Sequence, residues 1–166
     1  ESKELAIKFE YPAFWKLRSW VYTKVPGDTE PLQVAVIGPM NRYLRIGSKM
    51  VIAKYDPARL GERLSVETII AHELESFPNV RQVTPERGVQ IAQLCAKQTE
   101  YIWFVEDLVA YQDGVCQEQG KHGKSILSVV KRNDTVYILS LTAPGDEFED
   151  FRPVYTRLLE TFEWWP

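Results

Sequence analysis

The sequence predicts an α+β fold in which helices cover a mainly antiparallel β-sheet. Most apolar positions lie in short segments rich in Val, Ile, Tyr and Trp, where apolar and polar residues alternate as they do along a strand. In only two segments do the apolar residues recur every three to four positions, which is the spacing of an amphipathic helix. One helix divides the strands into two groups and the other closes the chain, an order that favours both helices packing on one sheet.

Strands dominate the first third of the chain. Alternation predicts them at residues 5–11, 15–25, 32–37 and 50–55. Pro12 cannot donate to a strand ladder, so we interpret the first segment as an edge strand. Pro26-Gly27-Asp28 is typical of a turn and predicts a hairpin or a bend between the second and third segments. Asp56-Pro57 ends the fourth segment.

The first helix is predicted from the spacing of its apolar residues. They are Val66, Ile69, Ile70, Leu74 and Phe77. Ser65 stands where an N-cap is needed, and Glu67 places a negative charge in the first turn, where the helix dipole favours it. Pro78-Asn79 is expected to end the helix.

The second half of the chain contains further segments rich in β-branched and aromatic residues. They predict strands at residues 89–94, 100–106, 124–132 and 135–143. Asn133-Asp134 separates the last two segments and is typical of a tight hairpin turn. These two strands are therefore expected to be antiparallel neighbours.

The closing helix is predicted over residues 146–162. Its apolar stripe consists of Phe148, Phe151, Tyr155, Leu158 and Phe162. Asp146 and Glu149 have the spacing of a capping box at its start. Pro153 is expected to lie in the first turns of the helix or to kink it.

Size and composition favour one globular domain spanning residues 1–166. Hydrophobic residues make up 45% of the chain and charged residues 26%, and a chain of this length can bury one core. The 20 basic and 23 acidic residues are interspersed, which argues against a nucleic-acid partner. The longest apolar runs are far shorter than the roughly 20 residues that cross a bilayer, so no transmembrane segment is predicted.

The motifs that could carry chemistry fail on spacing or context. Gly123-Lys124-Ser125 resembles the end of a phosphate-binding loop, but a predicted strand follows it where a helix would be needed. His72 on the first helix is interpreted as solvated, because zinc needs three or four converging ligands. Cys95 and Cys116 have no base beside them in the sequence and are expected to be small buried residues. The dipole of the closing helix explains the acidic residues 146–150.

The sequence therefore predicts no catalytic, cofactor-binding or metal-binding residue and no enzyme activity. Three residues are instead predicted to contact a partner. Trp164 and Trp165 stand near the chain end, where they are expected to be exposed and adhesive. His122 lies in residues 117–123, whose composition is typical of an exposed hairpin loop. A histidine can also bind a metal, but one histidine alone is insufficient.

Three stretches of the chain resemble PsbP-like domains. Phe9-Glu10-Tyr11-Pro12 followed by Trp15 is similar to the Tyr-Pro-x-x-Trp opening of these domains. Residues 64–83, which include Phe77-Pro78-Asn79-Val80, resemble their central helix and its exit. Residues 137–144 and then 148–162 resemble their last strand, a Thr-Ala turn and the closing helix.

The resemblance implies the α/β/α sandwich shared by PsbP, the Mog-type Ran-binding proteins and several bacterial lipoproteins. No catalytic residues are common to that fold, so the resemblance implies binding rather than catalysis, and no site residue is carried over. Residues 38–56 and the loop 113–123 have no counterpart in the photosystem proteins, which counts against a strictly photosynthetic role.

We therefore expect a non-enzymatic binding or accessory module that works outside the cytoplasm, in the periplasm, in the thylakoid lumen or at the cell surface. Its partner would be a protein or a membrane-bound complex such as photosystem II. Because the chain opens at Glu1 rather than Met, we expect either a processed mature form or a trimmed chain, in which any signal peptide or lipid anchor would no longer be visible.

Two alternatives stay open. The first is an enzyme whose polar residues converge only in three dimensions. The residues considered for such a site are His72, Glu73, Asp107, Asp113 and His122. The second alternative is a cytoplasmic adaptor of the Ran-binding type, which would share the fold but not the compartment.

Overall fold

The computed structural model describes residues 5–21, 33–39, 48–55, 65–75, 77, 79–82, 84–105, 109–112, 115–118 and 121–165. Two helices lie within these ranges: α1 (Val66–Glu75) and α2 (Phe148–Glu160). The same ranges contain the strands β1 (Ile7–Lys8), β2 (Trp15–Val21), β3 (Gln33–Pro39), β4 (Lys49–Tyr55), β5 (Arg81–Gln82), β6 (Arg87–Ile91), β7 (Leu94–Val105), β8 (Val109–Gln112), β9 (Val115–Glu118), β10 (Lys121–Arg132), β11 (Thr135–Pro144) and β12 (Glu163–Trp164).

The main sheet is antiparallel throughout. Its strand order is β2-β3-β4-β11-β10-β7, and both β5 and β6 pair with the far side of β7. Two shorter pairs, β1 with β12 and β8 with β9, lie outside this sheet. The α+β class with a mainly antiparallel sheet is therefore confirmed.

The two helices cover opposite faces of the sheet. Tyr155 and Leu158 of α2 pack with Leu139, whereas Ile69 and Ile70 of α1 pack in a second cluster that contains Ile138. Successive residues of a strand point to opposite faces, so neighbours 138 and 139 of β11 belong to different layers. This arrangement is the α/β/α sandwich that the resemblance implied.

Several predicted strands are confirmed. The pairing of β2 with β3 gives the predicted hairpin, although its turn residues 26–28 lie outside the described residues. β4, β10 and β11 lie at the predicted places. Asn133 has a φ of 55°, a left-handed conformation that Asn tolerates well in a tight turn, so the turn between β10 and β11 is confirmed as well.

The predicted edge strand at residues 5–11 is wrong in its length and in its sheet. Only Ile7–Lys8 is a strand, and Ile7 lies opposite Trp164 of β12 rather than beside the main sheet. Ala6 has a φ of 55°, and this left-handed residue interrupts the extended backbone before Ile7. Leu5, Ile7 and Phe9 are nevertheless buried, as their alternation predicts.

The predicted strand at residues 89–94 is wrong because it runs through a turn. Ala92 and Gln93 have φ values of 45° and 68°, and they join β6 to β7 as a two-residue hairpin. Residues 95–99, which the alternation left outside any strand, belong to β7. The predicted loop at residues 117–123 is likewise wrong where described, since it contains the end of β9 and the start of β10.

The helix boundaries follow the predictions more closely. The Oγ of Ser65 accepts a hydrogen bond from the backbone N–H of Thr68 at 3.0 Å, so the predicted N-cap is confirmed. The capping box predicted for α2 is wrong, because the N-cap residue is Glu147 and it makes no side-chain capping bond. Pro153 lies inside α2. Neither described helix is long and apolar enough to cross a membrane.

Candidate functional site

A shallow groove separates α2 from the segment that follows β1. It has a volume of about 380 Å³ and is lined by Glu10, Tyr11, Pro12, Pro153, Val154 and Arg157. Most of the lining surface is apolar, although three of the side chains carry a charge or a hydroxyl group. The groove therefore joins the Tyr-Pro-x-x-Trp motif near the start of the chain to the closing helix.

The Tyr-Pro-x-x-Trp motif forms one wall of the groove because its tryptophan is anchored. The backbone N–H of Trp15 donates to the carbonyl of Pro12 at 2.9 Å, which closes a turn over residues 12–15. Trp15 is almost fully buried, and its ring lies 5.5 Å from that of Phe151 on α2. Tyr11 packs against Phe9 with ring centroids 5.9 Å apart. The anchored rings hold Tyr11 and Pro12 at the surface beside the helix.

An ion pair and a hydrogen bond hold the two walls of the groove together. The Oε2 of Glu10 accepts from the Nη2 of Arg157 at 2.8 Å, and the backbone N–H of Glu10 donates to the Oγ1 of Thr161 at 3.0 Å. Both members of the ion pair are well exposed, so its contribution to stability is small. Its main effect is to position the last turn of α2 against the N-terminal segment.

Phe14 is the most exposed large apolar side chain in the described part of the molecule. It is 74% exposed, and it lies inside the turn that Pro12 and Trp15 close, two residues beyond the groove. An exposed aromatic side chain beside a rigid apolar groove is a feature typical of an interaction surface.

A buried polar network lies under α2. The hydroxyl of Tyr155 donates to the carbonyl of Leu139 at 2.8 Å, and it lies 2.8 Å from the Oγ of Ser128, whose own proton is free to complete that second hydrogen bond. The Nε2 of Gln98 donates to the same Oγ at 2.8 Å, and Arg87 binds the Oε1 of Gln98. Burial raises the pKa of Tyr155, so its hydroxyl stays neutral. The network joins helix and sheet, and none of its side chains is an imidazole, thiol or carboxylate that could act as a general base near neutral pH.

A charged cluster fixes the start of α2 to β7. The guanidinium of Arg152 binds both carboxylate oxygens of Glu100, at 2.8 and 2.9 Å, and also binds Glu149 at 2.7 Å. It lies 5.0 Å from the centre of the Phe148 ring. The hydrogen bond from Arg152 lowers the pKa of Glu149. The Nζ of Lys124 lies 3.5 Å from the Oε1 of Glu149, so two cations balance the two carboxylates of the cluster, which positions the helix.

Trp164 and Trp165 are not the free surface aromatics that the sequence predicts. Trp164 packs edge-on against Tyr137 and Phe162, with centroids 5.0 and 4.9 Å away, and Arg132 covers its ring at 5.0 Å. The backbone N–H of Trp165 donates to the carbonyl of Ala6 at 2.8 Å. Both are partly buried and close the end of the fold, and partner contact by these residues stays a prediction.

His122 is exposed, as expected, but it lies in β10 rather than in a loop. Its ring lies 6.2 Å from Phe104, and a Cβ atom on Gly145 would fall 2.1 Å from its Nε2. Arg132 at the other end of β10 contacts Trp164, so about 33 Å of extended strand separates His122 from the tryptophans. The structure does not bring the predicted partner-contact residues together, and the predicted role of His122 stays untested.

The remaining candidates form no chemical site in the described ranges. His72 is solvent-exposed on α1, as predicted, while the carboxylate of Glu73 accepts a hydrogen bond from Tyr55 at 2.7 Å. No group of three or more metal-ligating side chains occurs among the described residues. Cys95 is a free, exposed thiol, so its predicted burial is wrong. Asp107, Asp113 and the side chain of Cys116 lie outside the described residues.

The groove itself was missed in the sequence. Two signals pointed to it: the Tyr-Pro-x-x-Trp motif, and a proline on the polar side of the closing helix at Pro153. The sequence shows each of these two features separately, but it does not show that they lie close together. Their proximity depends on Trp15 packing against Phe151, which no local pattern reveals.

No protein-family model and no curated protein sequence matches the chain. Solved structures do match it over nearly its whole length. LpqN of Mycobacterium tuberculosis, which is involved in cell envelope biogenesis, is 14% identical with a TM-score of 0.53, and the match covers 96% of this chain and 83% of LpqN.

Two further structures give the same result. Cyanobacterial PsbP (CyanoP) from Synechocystis sp. PCC 6803 is 11% identical with a TM-score of 0.56, covering 99% of this chain and 89% of that one. PA94, a protein of unknown function from Pseudomonas aeruginosa, is 15% identical with a TM-score of 0.51, covering 91% and 84%. At these identities the likeness establishes the fold alone. The chain has the PsbP-like fold, and the predicted resemblance is confirmed at that level.

Proposed function

We propose that this chain is a non-enzymatic binding or accessory protein that works outside the cytoplasm, in the periplasm, in the thylakoid lumen or at the cell surface. The observation that carries the proposal is the preformed groove between the Tyr-Pro-x-x-Trp segment and α2, with the exposed Phe14 beside it. A rigid apolar depression flanked by an exposed aromatic residue suits a protein partner.

The chemistry of the groove supports binding over catalysis. Its lining holds one carboxylate, on Glu10, and one guanidinium, on Arg157, and these two groups bind each other. The lining contains no imidazole or thiol, and its one carboxylate already accepts a hydrogen bond from Arg157, so the groove lacks the pair of groups that acid–base catalysis needs. The candidate enzyme residues His72, Glu73 and His122 are not part of the lining.

The compartment is supported by likeness in fold. LpqN is involved in cell envelope biogenesis, and CyanoP is a cyanobacterial PsbP. Association with a membrane complex such as photosystem II is the specialised form of the proposal, and attachment through a lipid anchor is a second specialised form. Co-purification of the chain with thylakoid complexes would support the first of these.

The exposed thiol of Cys95 allows a direct test of the compartment. A membrane-impermeant maleimide should label the full-length protein in intact cells, and a variant that combines Cys95→Ser with Cys116→Ser should lose that labelling. A cytoplasmic adaptor would be labelled only after lysis, and that outcome would reject the periplasmic and cell-surface forms of the proposal. Absence of the protein from washed, sealed thylakoids would reject the lumenal form.

A photo-crosslinking amino acid tests the binding surface. Placed at Phe14 in the native organism, it should give one or a few discrete adducts. Phe104 is the matched control, since it is the other large exposed apolar residue of the described part and lies on β7 rather than in the turn that follows the groove residue Pro12. Equal adducts at both positions, or none at Phe14, would contradict the proposed surface.

A further inference from the structure

We infer that the groove binds a segment of a partner protein that presents an apolar side chain flanked by lysine or arginine. This inference rests on the proposed function and specifies its partner. It follows from three properties of the described surface: the rigidity of the groove, the position of Phe14, and the charge of the rim.

The groove is preformed and of the right size for side chains. Pro12 on one wall and Pro153 with Val154 on the other belong to its lining, and proline rings lose little freedom when a ligand packs on them. A volume of about 380 Å³ lies at the small end of the roughly 300–1,000 Å³ range of ligand pockets. One or two large apolar side chains suit this space better than a cofactor does.

Phe14 extends the apolar surface beyond the groove. It is 74% exposed, although its neighbour Trp15 is almost fully buried. The turn over residues 12–15 therefore directs one ring inward as an anchor and leaves the other at the surface. A chain segment lying in the groove could cover Phe14 as well, which would remove a large apolar area from water.

The rim of the groove is acidic. On α2, Asp150 precedes Pro153 by three residues, a spacing that puts the two residues on one face of the helix. The Oε2 of Glu160 lies 3.9 Å from the Nη1 of Arg157, which places Glu160 beside the groove lining. With Glu10, these residues place three carboxylates around the single guanidinium of Arg157, which pairs with both Glu10 and Glu160, so the rim has a net charge of −2. Cationic residues beside the apolar anchor are attracted to this rim, and anionic residues are repelled.

The same charge argues against the other occupants. An anionic lipid surface or a nucleic acid would be repelled by the rim. A second copy bound through this face would bring two acidic rims together, because a two-fold contact uses the same patch on both subunits. A basic, apolar peptide segment of a different protein is the occupant that the charges favour.

A random 12-residue peptide library displayed on phage tests this inference with the purified chain. The enriched peptides should share an apolar residue next to lysine or arginine. Asp150→Lys combined with Glu160→Lys should weaken their binding roughly ten-fold or more, because two attractive contacts become repulsive. Pro153→Arg, which places a long charged side chain at the groove wall, should also abolish enrichment.

The matched control is Glu75→Lys combined with Asp134→Lys. Both residues are exposed and lie outside the groove lining, and each double variant raises the net charge by four, from −3 to +1. The control should leave binding within about two-fold, since charges beyond a Debye length are screened. Circular dichroism and thermal unfolding of all variants check that the fold is intact.

Four results would overturn the inference. They are acidic flanks in the enriched peptides, equal loss of binding in both double variants, no groove-dependent enrichment, and a concentration-dependent dimer of the wild type that Pro153→Arg abolishes. If a partner still crosslinks at Phe14 in cells, only the basic, apolar character of the partner is rejected. If that crosslink is also missing, the proposed binding function fails with it.

Discussion

Gly123 shows how one missing side chain can decide the packing of a neighbouring strand. The indole of Trp103 on β7 lies directly over it, so that a Cβ atom there would be 2.1 Å from the Cζ2 of the ring. The Nε1 of Trp103 donates to the Oγ of Ser125 at 3.1 Å, which fixes the ring in this position. The glycine of the Gly123-Lys124-Ser125 motif is therefore explained by packing against Trp103.

Replacing Gly123 by alanine should destabilise the protein by about 1–3 kcal/mol, because Trp103 must leave its buried position. Urea unfolding followed by tryptophan fluorescence measures the change. Gly88→Ala is the control, since nothing lies within 4 Å of a Cβ atom there, and we expect a change within about 0.5 kcal/mol. Equal effects of the two substitutions would show that the Trp103 contact does not carry the difference.

Residue exposure was the least predictable property from sequence. Trp164 stands near the chain end, where exposure is expected, yet Arg132 and Tyr137 from distant positions cover it. Cys95 has a type that is usually buried, but the alternation of β7 turns Ala96 inward and leaves Cys95 outside. Both outcomes depend on strand register, which the local sequence does not specify.

At the scale of elements, α1 is attached to the sheet by its first turn as well as by its apolar face. Ser65 caps the helix, and Glu67 accepts a hydrogen bond from the ammonium of Lys97 on β7. Lys97 also lies 3.4 Å from Glu86. The acidic first turn that the sequence places on the helix dipole therefore has a second role as a link between layers.

Lys97→Met should raise the pKa of Glu67 markedly. The hydrogen bond from Lys97 is the main cause that lowers this pKa from 4.5 to about 2, with smaller contributions from the backbone and Ser65. A lowered carboxyl pKa stabilises the fold above about pH 4.5, and this stabilisation is lost as the pH falls toward 2. A carboxyl ¹³C NMR titration measures the shift.

Lys131→Met removes an exposed lysine from β10 and serves as the control. It should leave the titration of Glu67 unchanged. If the Glu67 pKa stays near 2 in the Lys97→Met protein, the backbone and Ser65 rather than Lys97 hold the carboxylate in its ionised form.

The helices were predictable because their apolar residues repeat at a regular spacing, and one hairpin was predictable because its turn residues are typical of a turn. A hairpin without typical turn residues was not predictable. The three- and four-residue spacing located α1 and α2, and Asn133-Asp134 marked the β10–β11 hairpin. The β6–β7 hairpin turns at Ala92-Gln93, two residues with no preference for a left-handed backbone. The pairing of the flanking strands imposes the conformation of this turn. Because the turn has no sequence signal of its own, the alternation of apolar residues predicts one strand across it.

At the scale of the whole molecule, one sheet serves two hydrophobic layers. Leu127 of β10 packs in the layer beneath α1, and Leu139 of the neighbouring strand β11 packs in the layer beneath α2. Both side chains are fully buried. Because the strands are hydrogen-bonded neighbours, neither layer can open without disturbing the other.

Leu127→Ala and Leu139→Ala should therefore each destabilise the entire fold by about 2–5 kcal/mol. Each should shift one common unfolding transition, seen at the same urea concentration by far-ultraviolet circular dichroism and by tryptophan fluorescence. Leu159→Ala, at a partly buried position on α2, should have a smaller effect. Separate transitions by the two probes would contradict the predicted single domain.

The class and layers of the fold were predictable, because periodicity indicates the elements and the resemblance supplies their order. The groove was not, because it joins Glu10 to Arg157 across 147 positions of sequence. Its two walls meet only after the sheet has placed Trp15 beside Phe151. Such long-range proximity is a property of the assembled molecule.

The pairing of β1 with β12 also determines how the molecule responds to force. These strands are antiparallel, with Ile7 opposite Trp164 and Lys8 opposite Glu163, so the two outer ends of the pair leave from the same side. Tension applied through those ends would load the pair in an unzipping geometry, in which the hydrogen bonds break one after another. In a shear geometry all of them would bear the load together. The sandwich would open from this pair first, at low force, while the long β10–β11 ladder still held.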